Sequence, residues 1–419
     1  MYHIIFEDYG WKNFLPFTYT RFTGDMRAGV FKLRQRLGLY FDFEPTKVVI
    51  REELRPLYEK RHPDWEINHF HKGEYLFINS RLRVDTGNAG FQPELIQSLQ
   101  SNQKLIFKND IVAFKIIIEN EIECSSETLY QLYESLETIE ISTDTLHQNL
   151  LWKYTWEFLK ENGNLINADF QNVFYEDDNL MEIDPGVVAL NPYNIWIGAG
   201  SILQHGVILD ASEGPIIIDE NVVIMHNSVI MGPAFIGKNS LLKIGTRIYG
   251  NTSIGHHCKL AGEISGSIFQ AYTNKQHDGF LGKSYVGEWV NIGADTNNSD
   301  LKNTYKPVKV WFYPEKDKTS TDDLFIGAFI GDHAKIGINC SINTGTVIGF
   351  GVNLYGSDLI SDFIPSFSWG QANSLTLFEY DKFFETVSAV KKRRNEELLY
   401  EEIYLIKKIY ETKHLFEEK

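Results

Sequence analysis

One histidine stands among polar residues in a position that suits acid–base chemistry. His277 lies in residues 274–282, which read NKQHDGFLG. An imidazole has an unperturbed pKa of about 6.5, so near neutral pH it can take a proton from an attacking amine or hydroxyl. His277 is therefore a candidate general base. The alternative is an exposed loop histidine without a catalytic task.

A second polar group follows shortly afterwards, in residues 291–303 (NIGADTNNSDLKN). So many short hydrogen-bonding side chains suit the recognition of the hydroxyls and amide of a sugar. The same residue types also populate turns for local backbone reasons, which is the structural alternative. The candidate substrate ligands in this group are Asn291, Asp295, Asn297, Asn298 and Lys302.

Cations in the first thirty residues form a third group. Lys12, Arg21 and Arg27 lie in residues 11–29, WKNFLPFTYTRFTGDMRAG. Arginine binds phosphate through two parallel hydrogen bonds and lysine binds it as a point charge, so these side chains are candidate phosphate ligands. The alternative is a set of ordinary surface cations that border a helix.

The first two groups lie in a region with a six-residue period. An aliphatic residue returns at every sixth position, and small residues recur four positions after it. Neither a helix, with its period of 3.6, nor a strand that alternates by two explains this spacing. Six residues match one face of a triangular coil, so we predict a left-handed parallel β-helix of hexapeptide repeats, a prism with coils about 4.8 Å apart. The repeating aliphatic residues are Ile197, Leu203, Leu209, Ile218, Ile224, Ile230, Ile236, Leu242, Ile248, Ile254, Leu260, Val286, Ile292, Ile330, Ile336, Ile342, Ile348 and Leu354.

Two segments break this period, and both are expected to project from the prism. Residues 263–285 contain His277, and residues 298–324 are polar and rich in lysine. Binding and catalytic residues are often found on loops that a rigid scaffold positions.

The regions on either side of the repeat differ from it in kind. In residues 1–180, strand-like stretches at 4–6, 47–50, 75–78 and 111–117 alternate with helical patterns at 31–38, 52–61, 93–101 and 142–162. This alternation predicts an α/β layer with a mainly parallel sheet. Residues 378–414 show helical spacing and predict a C-terminal helix, in which the basic run 391–394 suits a solvated face or, alternatively, a phosphate contact. The predicted domains are 1–183, 184–372 and 373–419.

Composition limits the partners and the compartment. A net charge of −16 argues against a nucleic-acid partner, because no basic field is present to displace counterions from phosphates. Cys124, Cys258 and Cys340 are widely spaced, which fits small buried hydrophobes in a reducing compartment. No apolar run approaches the roughly 20 residues that cross a bilayer, and the first residues do not form a signal peptide. We expect a cytoplasmic protein without a membrane partner.

The order of the motifs carries a resemblance to a known family. Hexapeptide coils, a His-x-x-Phe-Leu-Gly loop at 277–282, VGEWVNIGADT at 286–296 and an Asn-rich insertion follow one another. This order resembles the bifunctional N-acetylglucosamine-1-phosphate uridyltransferase/glucosamine-1-phosphate acetyltransferase family, and more closely a branch of sugar nucleotidyltransferases with the same two-part layout. Over about residues 185–375 the resemblance implies His277 as general base and acetyl-CoA as acyl donor.

The sequence departs from the family at several positions. The usual Ala-Gly-Thr is Ala-Asp-Thr at 294–296, and the asparagine expected next matches Asn297 or Asn298. These departures leave open an acceptor other than glucosamine 1-phosphate. In the N-terminal part the family's Gly-rich loop is absent. The branch pattern Leu-Pro-x-Thr-x-Thr-Arg-Pro is kept at residues 15–21, but Phe22 stands in place of the last proline. The resemblance implies Mg²⁺-dependent nucleotidyl transfer without identifying metal ligands, and it suggests nucleotide contacts from Lys12, Thr20, Arg21 and Arg27.

Two functional hypotheses follow. In the first, an N-terminal nucleotidyltransferase-like domain joins a sugar 1-phosphate to a nucleoside triphosphate, and the prism acylates a sugar from acetyl-CoA. In the second, the chain is a catalytically degenerate nucleotide-sugar-binding or scaffold protein on a trimeric prism. We expect a homotrimer, because apolar residues such as Trp289, Phe325 and Phe329 are placed on or near flat faces. For CoA we expect contacts from Gly331 and Trp369 at the later coils.

Overall fold

The N-terminal part is built on a mixed sheet of seven strands. The computed structural model describes residues 1–84, 94–141, 149–175 and 184–418. Strand Tyr2–Phe6 pairs in parallel with two neighbours, and its residues 4–6 are buried. Burial on both faces of the sheet accounts for the unbroken apolar run. Across the sheet the strands are ordered Glu137–Glu140, Gln103–Phe107, Asp110–Ile118, Gly73–Asn79, Tyr2–Phe6, Lys47–Val49 and Glu66–Ile67.

The predicted α/β alternation of this part is confirmed. All four predicted strands lie in the sheet, although Asp110–Ile118 runs antiparallel to both neighbours. Residues 93, 142–148 and 176–183, which include parts of two predicted helices and the predicted domain boundary, lie outside the described residues. The helices here are Leu33–Phe41, Arg55–Arg61, Glu94–Gln97, Tyr130–Tyr133 and Thr155–Asp169. Shorter elements are the 3₁₀ turns Tyr9–Phe14, Phe17–Tyr19 and Thr23–Asp25, the π-helix Phe170–Phe174, and the antiparallel pairs Arg27–Ala28 with Phe31–Lys32 and His69–Phe70 with Ile122–Glu123.

From residue 188 the chain forms the predicted prism, in which a strand pairs with the third strand after it, or with the fifth where the hairpin of the insertion intervenes. The first face contains Val188–Leu190, Ile208–Asp210, Val229–Met231, Arg247–Ile248, Glu263–Ser265 and Phe280–Gly282, and a three-stranded sheet of Asn297–Asn298, Ser341–Ile342 and Leu359–Ile360 follows these strands. The second face contains Ile195–Ile197, Ile216–Ile218, Ala234–Ile236, Thr252–Ile254, Ile268–Ala271, Tyr285–Glu288, Phe329–Ile330, Val347–Ile348 and Phe363–Ile364. The third face contains Ile202–Leu203, Val223–Ile224, Leu241–Leu242, Lys259–Leu260, Asn274–Lys275, Asn291–Ile292, Lys335–Ile336, Asn353–Leu354, Ser368–Gln371 and Ser374–Leu377.

The predicted aliphatic column fills this prism. All of the repeating aliphatic residues belong to one core, fully buried except for Leu203, which packs against it. Cys258 and Cys340 are buried in the same core and Cys124 in the core of the N-terminal part, as predicted for small hydrophobes.

The prediction that residues 263–285 project from the prism is wrong. These residues supply strands to all three faces and continue the stack. The six-residue period fails here because the interior positions after Leu260 are Ile264 and Phe269, four and five residues apart, so the turns are shorter. The next interior position, paired with Leu260, is Lys275, which does not resemble the aliphatic repeat.

The prediction that residues 298–324 form an insertion is confirmed. They contain the antiparallel hairpin Lys309–Phe312 with Asp317–Ser320. Its apolar side chains turn inward, since Trp311 stacks on Phe363 with ring centroids 4.5 Å apart. The hairpin therefore covers the later coils while its other side meets the N-terminal part, where Phe312 contacts Trp156.

The single predicted C-terminal helix is three helices, Tyr380–Arg393, Tyr400–Thr412 and His414–Glu417. The first one ends before Asn395, whose φ of 57° is left-handed, a conformation common at helix ends. Phe383 of this helix is buried against Phe350 and Phe367 of the later coils. The helical extension thus docks on the prism. Within the described ranges, no helix is both long and apolar enough to span a membrane.

Two of the three apolar residues named for a trimer interface are covered by the same chain. Trp289 is only 6% exposed and lies beneath Lys391 of the C-terminal helix. Phe329 is 2% exposed and packs against Trp156 of the N-terminal part. The prediction that these side chains lie open on a flat face is wrong, and only Phe325, 49% exposed, remains available.

The N-terminal part packs on the second face of the prism through Tyr285. Its ring lies 4.7 Å from that of Phe17 and 6.0 Å from that of Phe158. Its hydroxyl accepts from the backbone N–H of Arg27 and donates to the carbonyl of the same residue. Helix Thr155–Asp169 adds Asn162, which donates to the carbonyl of Asn251.

Glu417 joins the three parts of the chain at one carboxyl group. It accepts hydrogen bonds from the hydroxyl of Tyr19, at 3.2 Å, and from the backbone N–H and hydroxyl of Ser366, at 3.0 and 2.5 Å. Burial nevertheless raises the pKa of Glu417 to about 7. Because this pKa is raised in the folded state, the protonated group stabilises the fold below pH 4.5, and that contribution is lost as the pH rises through 7.

We expect Glu417→Gln to lose less stability than the wild type between pH 5 and pH 8. Glutamine fills the same space and does not ionise, so the difference between the two proteins should shift by up to about 3 kcal/mol in favour of the variant, at 1.36 kcal/mol per pKa unit. Free energies of unfolding from urea titrations at both pH values measure this shift. Exposed Glu418→Gln is the control, and an equal pH response in Glu417→Gln and the wild type would contradict the expectation.

Candidate functional sites

The His277 turn lies at the corner between the third and first faces of the prism. It connects strands Asn274–Lys275 and Phe280–Gly282, and the imidazole is exposed. The next coil supports the turn, because the backbone N–H of Asp295 donates to the carbonyl of Asp278 at 2.9 Å. The structure therefore places a solvent-facing imidazole on a braced backbone.

Lys275 holds the same turn from inside the prism. Its amine is buried and donates to the carbonyl of His277 at 3.1 Å and to that of Ala261 at 3.4 Å. Burial lowers the pKa of Lys275 to about 8. This residue was missed by the sequence analysis, because a lysine in a polar segment gives no sign that its side chain points inward.

The predicted substrate ligands are only partly brought together. Asp295 and Asn297 are exposed on the corner beside the turn, and the side-chain amide of Asn297 accepts from the backbone N–H of Phe280. Asn291 is exposed on the third face, whereas Lys302 lies in the insertion, where its amine donates to the carbonyl of Pro307. The five candidate substrate ligands, with Asn298 as the fifth, therefore do not form one site.

Asn298 differs from its neighbour by being buried, at 5% exposure. Its amide accepts from the N–H of Gly282 at 2.8 Å and donates to the carbonyl of the same residue at 3.0 Å. These two bonds replace backbone pairing at the point where the first face changes from one sheet to the next. The amide of Asn298 thus bridges two coils, and of the pair Asn297 is the one that faces solvent.

Arg21, a candidate phosphate ligand, is buried at the junction between the N-terminal part and the prism. Its guanidinium lies 2.8 Å from the carboxylate of Asp332 and 3.4 Å from that of Glu288, and it also donates to the carbonyl of Phe17. Thr20 donates its hydroxyl proton to Asp332 at 2.5 Å. Both side chains therefore have protein partners on the prism.

The two carboxyl groups that face Arg21 respond differently to burial. Burial raises the pKa of Asp332 even though Arg21 opposes it. Burial also acts to raise the pKa of Glu288, but Arg21 together with Lys32 and further nearby cations outweighs it, and the pKa is lowered. Arg21 thus serves one buried carboxyl group, that of Asp332, and one half-buried group, that of Glu288. Both acidic residues lie far from Arg21 in the sequence, which gave no sign of them.

The two remaining candidate cations differ in exposure. Arg27 is buried, with its guanidinium 5.3 Å from the centre of the Phe235 ring and bonded to the carbonyl of Val30. Lys12 is half-buried and lies over the rings of Tyr9 and Trp11. Among the residues that the structure describes, Lys12 has no carboxylate partner.

A cavity of about 320 Å³ lies beside Arg21, between the N-terminal part, the prism and the C-terminal helices. Its walls carry both signs of charge, and the charges pair with one another. Asp25 binds Lys32 and Arg34, and Glu402 binds Lys391. The pairing leaves this cavity polar but internally balanced.

The acidic residues that end the first strand do not fit a Mg²⁺ site. Glu7 is buried against Arg51 at 2.8 Å, and Asp8 is bound by Arg81 and Asn79. Both carboxylates are thus held by protein donors. A separate group of potential metal ligands, His69, His71 and Glu121, lies on the surface at a sheet edge, where the imidazole of His69 is 2.6 Å from the carboxylate.

The predicted CoA contacts lie in different environments. Gly331 is buried on the later coils, where an added Cβ would come within 2.8 Å of the backbone of Gly349. Trp369 is 44% exposed in the last strand pair, next to Phe378. The predicted boundary between residues 372 and 373 falls in the turn of that strand pair.

Comparison with known proteins agrees with this two-part layout. Residues 3–176 match the profile of the sugar nucleotidyl transferase family. The resemblance predicted from the sequence is confirmed. The bifunctional protein GlmU of Methanococcus vannielii is 26% identical over 337 residues, which cover 68% of this chain and 78% of the relative. The bifunctional sugar-1-phosphate nucleotidylyltransferase/acetyltransferase of Sulfurisphaera tokodaii is 30% identical over 149 residues, 34% of this chain and 36% of that protein.

Another relative is also matched over less than half of its length. The chain spans 39% of the GlmU protein of Bartonella quintana, at 26% identity. Among solved structures, the UDP-N-acetylglucosamine acyltransferase of Francisella novicida is 13% identical, with a TM-score of 0.23, and the match covers 55% of this chain and 79% of that one. The Sulfurisphaera relative is named as a transferase, and the matching family profile is one of nucleotidyl transferases, which confirms the predicted enzyme class.

We expect Arg21→Met to destabilise the protein by about 3–5 kcal/mol. The substitution leaves Asp332 buried, and Glu288 half-buried, without their common cation. Breaking one side of a buried ion pair, as for Asp332, typically costs that much. Chemical denaturation in the absence of nucleotide measures the loss. Lys12→Met is the control, since it removes a cation of the same loop that has no acidic partner among the described residues. Equal stability of the two variants would show that Arg21 is not needed to hold the junction.

Proposed function

We propose that the prism transfers an acyl group from acetyl-CoA to an amino or hydroxyl sugar, with His277 as the general base. The observation that supports this most directly is the exposed imidazole on a turn braced by Lys275 and the next coil. Asp295 and Asn297 on the same corner supply polar groups for the acceptor. Such bracing keeps a general base within reach of the proton that it removes.

The residues of the corner have defined tasks in this reaction. The imidazole of His277 takes the proton of the acceptor's amine or hydroxyl while the freed lone pair attacks the thioester carbonyl. The carbon–sulfur bond then breaks, and the proton held by the imidazolium passes to the departing CoA thiolate. Gly331 and Trp369 stay proposed contacts of the acyl donor, and Asn291 and Lys302 proposed contacts of the acceptor.

We expect His277→Ala and His277→Asn to lower the rate of acyl transfer by about 10²–10⁴-fold, the usual contribution of a positioned general base. Acetyl transfer from acetyl-CoA to a panel of amino and hydroxyl sugars measures this. His205→Ala is a matched control, because this exposed histidine lies at the same corner on an earlier coil. Wild-type rates in His277→Ala would identify His277 as a loop residue without a catalytic role.

For the N-terminal part we propose transfer of a nucleotidyl group from a nucleoside triphosphate to a sugar 1-phosphate. The match of residues 3–176 to sugar nucleotidyl transferases supports this. Lys12, Thr20, Arg21 and Arg27 are its proposed nucleotide contacts. Glu7 and Asp8 do not fit a Mg²⁺ ion, because arginines hold both carboxylates, so we propose no residue as a ligand of the metal expected for this reaction.

A specific observation favours a second candidate function for the same part. Arg21 and Thr20 are bound to Asp332 on the prism, so neither is free to hold a triphosphate in this conformation. An N-terminal part that binds a nucleotide sugar without turnover, mounted on a prism, agrees with this arrangement. The proposed homotrimer and cytoplasmic location apply equally to both functions.

Pyrophosphate release separates the two functions. Sugar 1-phosphates are incubated with each nucleoside triphosphate and Mg²⁺, and nucleotide-sugar binding is measured in parallel by calorimetry. A nucleotidyltransferase is expected to release pyrophosphate, and Lys12→Ala should lower this release at unchanged stability. Lys12 is chosen because it is only half-buried and no carboxylate among the described residues binds it. Binding of the nucleotide sugar with no release from any substrate pair would instead support the binding protein.

A further inference from the structure

A groove between the C-terminal helix and the third face of the prism is lined by four basic side chains. Lys259 and Lys335 come from the third face, and Arg393 and Arg394 come from the end of helix Tyr380–Arg393 and the residue after it. The groove encloses about 240 Å³, and none of the residues described along its walls is acidic. This concentration of positive charge stands out in a chain with a net charge of −16.

Two of the four cations, Lys335 and Arg394, bind neutral groups instead of carboxylates. Lys335 donates to the carbonyls of Trp289, at 2.6 Å, and His333, at 3.1 Å. Arg394 donates to the side-chain oxygen of Asn274 at 2.6 Å. Within the part of the chain that the structure describes, no ion pair involves these four cations. No carboxylate of the described residues therefore neutralises their positive charge.

Glu396, an acidic residue two positions after Arg394, lines a different cavity. Glu396 accepts a hydrogen bond from the hydroxyl of Tyr272 at 2.8 Å and lines the junction cavity beside Arg21. Burial lowers the pKa of Lys335 to about 7, and burial together with Arg394 and Arg393 lowers that of Lys259. Like charges are thus held close together at a cost that a bound anion would offset.

We propose that this groove binds the phosphoryl group of a phosphorylated small molecule. Arginine forks and lysine ammonium groups match the several oxygens of a phosphoryl group, and the amides of Asn274 and Asn291 add neutral donors. The volume is below the roughly 300–1,000 Å³ of pockets that enclose a whole drug-sized ligand, so the rest of the molecule extends out of the groove.

The groove also indicates where the rest of the ligand lies. Tyr272 and Trp289 stack with centroids 4.1 Å apart and form an aromatic wall on one side. On another side the wall includes Gln276, the residue before His277. A ligand anchored here by its phosphoryl group can therefore extend toward the His277 turn, although its binding requires no turnover at that turn.

Calorimetry with four probes tests the site. The probes are inorganic pyrophosphate, CoA, 3′-dephospho-CoA and UDP-N-acetylglucosamine, each titrated into the full chain at low and at raised salt. We expect at least one to bind, more weakly at high salt because the attraction is electrostatic. Arg393→Ala combined with Lys259→Ala should raise its Kd at least tenfold. Arg394 is kept, since it also holds the helix to the prism.

Lys392→Ala is the matched control, because Lys392 is the exposed neighbour of Arg393 on the same helix and does not line the groove. Its Kd should stay within about twofold of the wild type at an unchanged melting temperature. Preference for CoA over 3′-dephospho-CoA would identify the acyl donor as the source of the phosphoryl group. Preference for UDP-N-acetylglucosamine would identify a nucleotide sugar as that source. Absence of binding by all four probes, or equal loss in the control and the double variant, would overturn the proposal whether or not His277 supports acyl transfer.

Discussion

Register between stacked coils is the constraint on which the rest of this structure depends. Most strands of the prism are only two or three residues long, so each one is held by the coils on either side and not by its own length. A strand of this size is stable only if it points a side chain into the interior and also pairs its backbone with the neighbouring coil, and this holds on every face. Any residue of the turns is therefore fixed by the coil before it and the coil after it, as the His277 turn is.

This constraint explains how much of the fold was predictable. Wherever the chain keeps six residues per face, an isoleucine or leucine marks the interior, and Ile218 to Leu260 were assigned correctly from spacing alone. Between Leu260 and Val286 the turns shorten and Lys275 occupies an interior position, so the periodic signal disappears although the stack continues. A lysine can take that place because two carbonyls accept its protons, and a carbonyl's orientation leaves no trace in a sequence.

The candidate sites were less predictable than the fold, for a different reason. Residue type indicated which side chains were able to hold phosphate, but a cation looks the same in a sequence whether its partner is a ligand or a carboxylate. Arg21 and Asp332 are separated by 311 positions, and only the packing of the N-terminal part on the second face brings them together. In the basic run at 391–394, by contrast, packing brings cations together. Arg393 and Arg394 lie in one groove with Lys259 and Lys335 because the C-terminal helix docks on the third face.

The hydrogen bond between Tyr19 and Glu417 has a consequence for biosynthesis. These residues are 398 positions apart, and the aromatic cluster around Tyr19 also includes Phe416. At a translation rate of about 5–20 residues per second, roughly 20–80 s separate the emergence of the two partners from the ribosome. During that interval the nascent N-terminal part must carry an uncovered aromatic surface, first without the prism and then without the last helix. The cell that makes this protein must therefore keep the surface from sticking to other chains during that interval, for example by means of a chaperone.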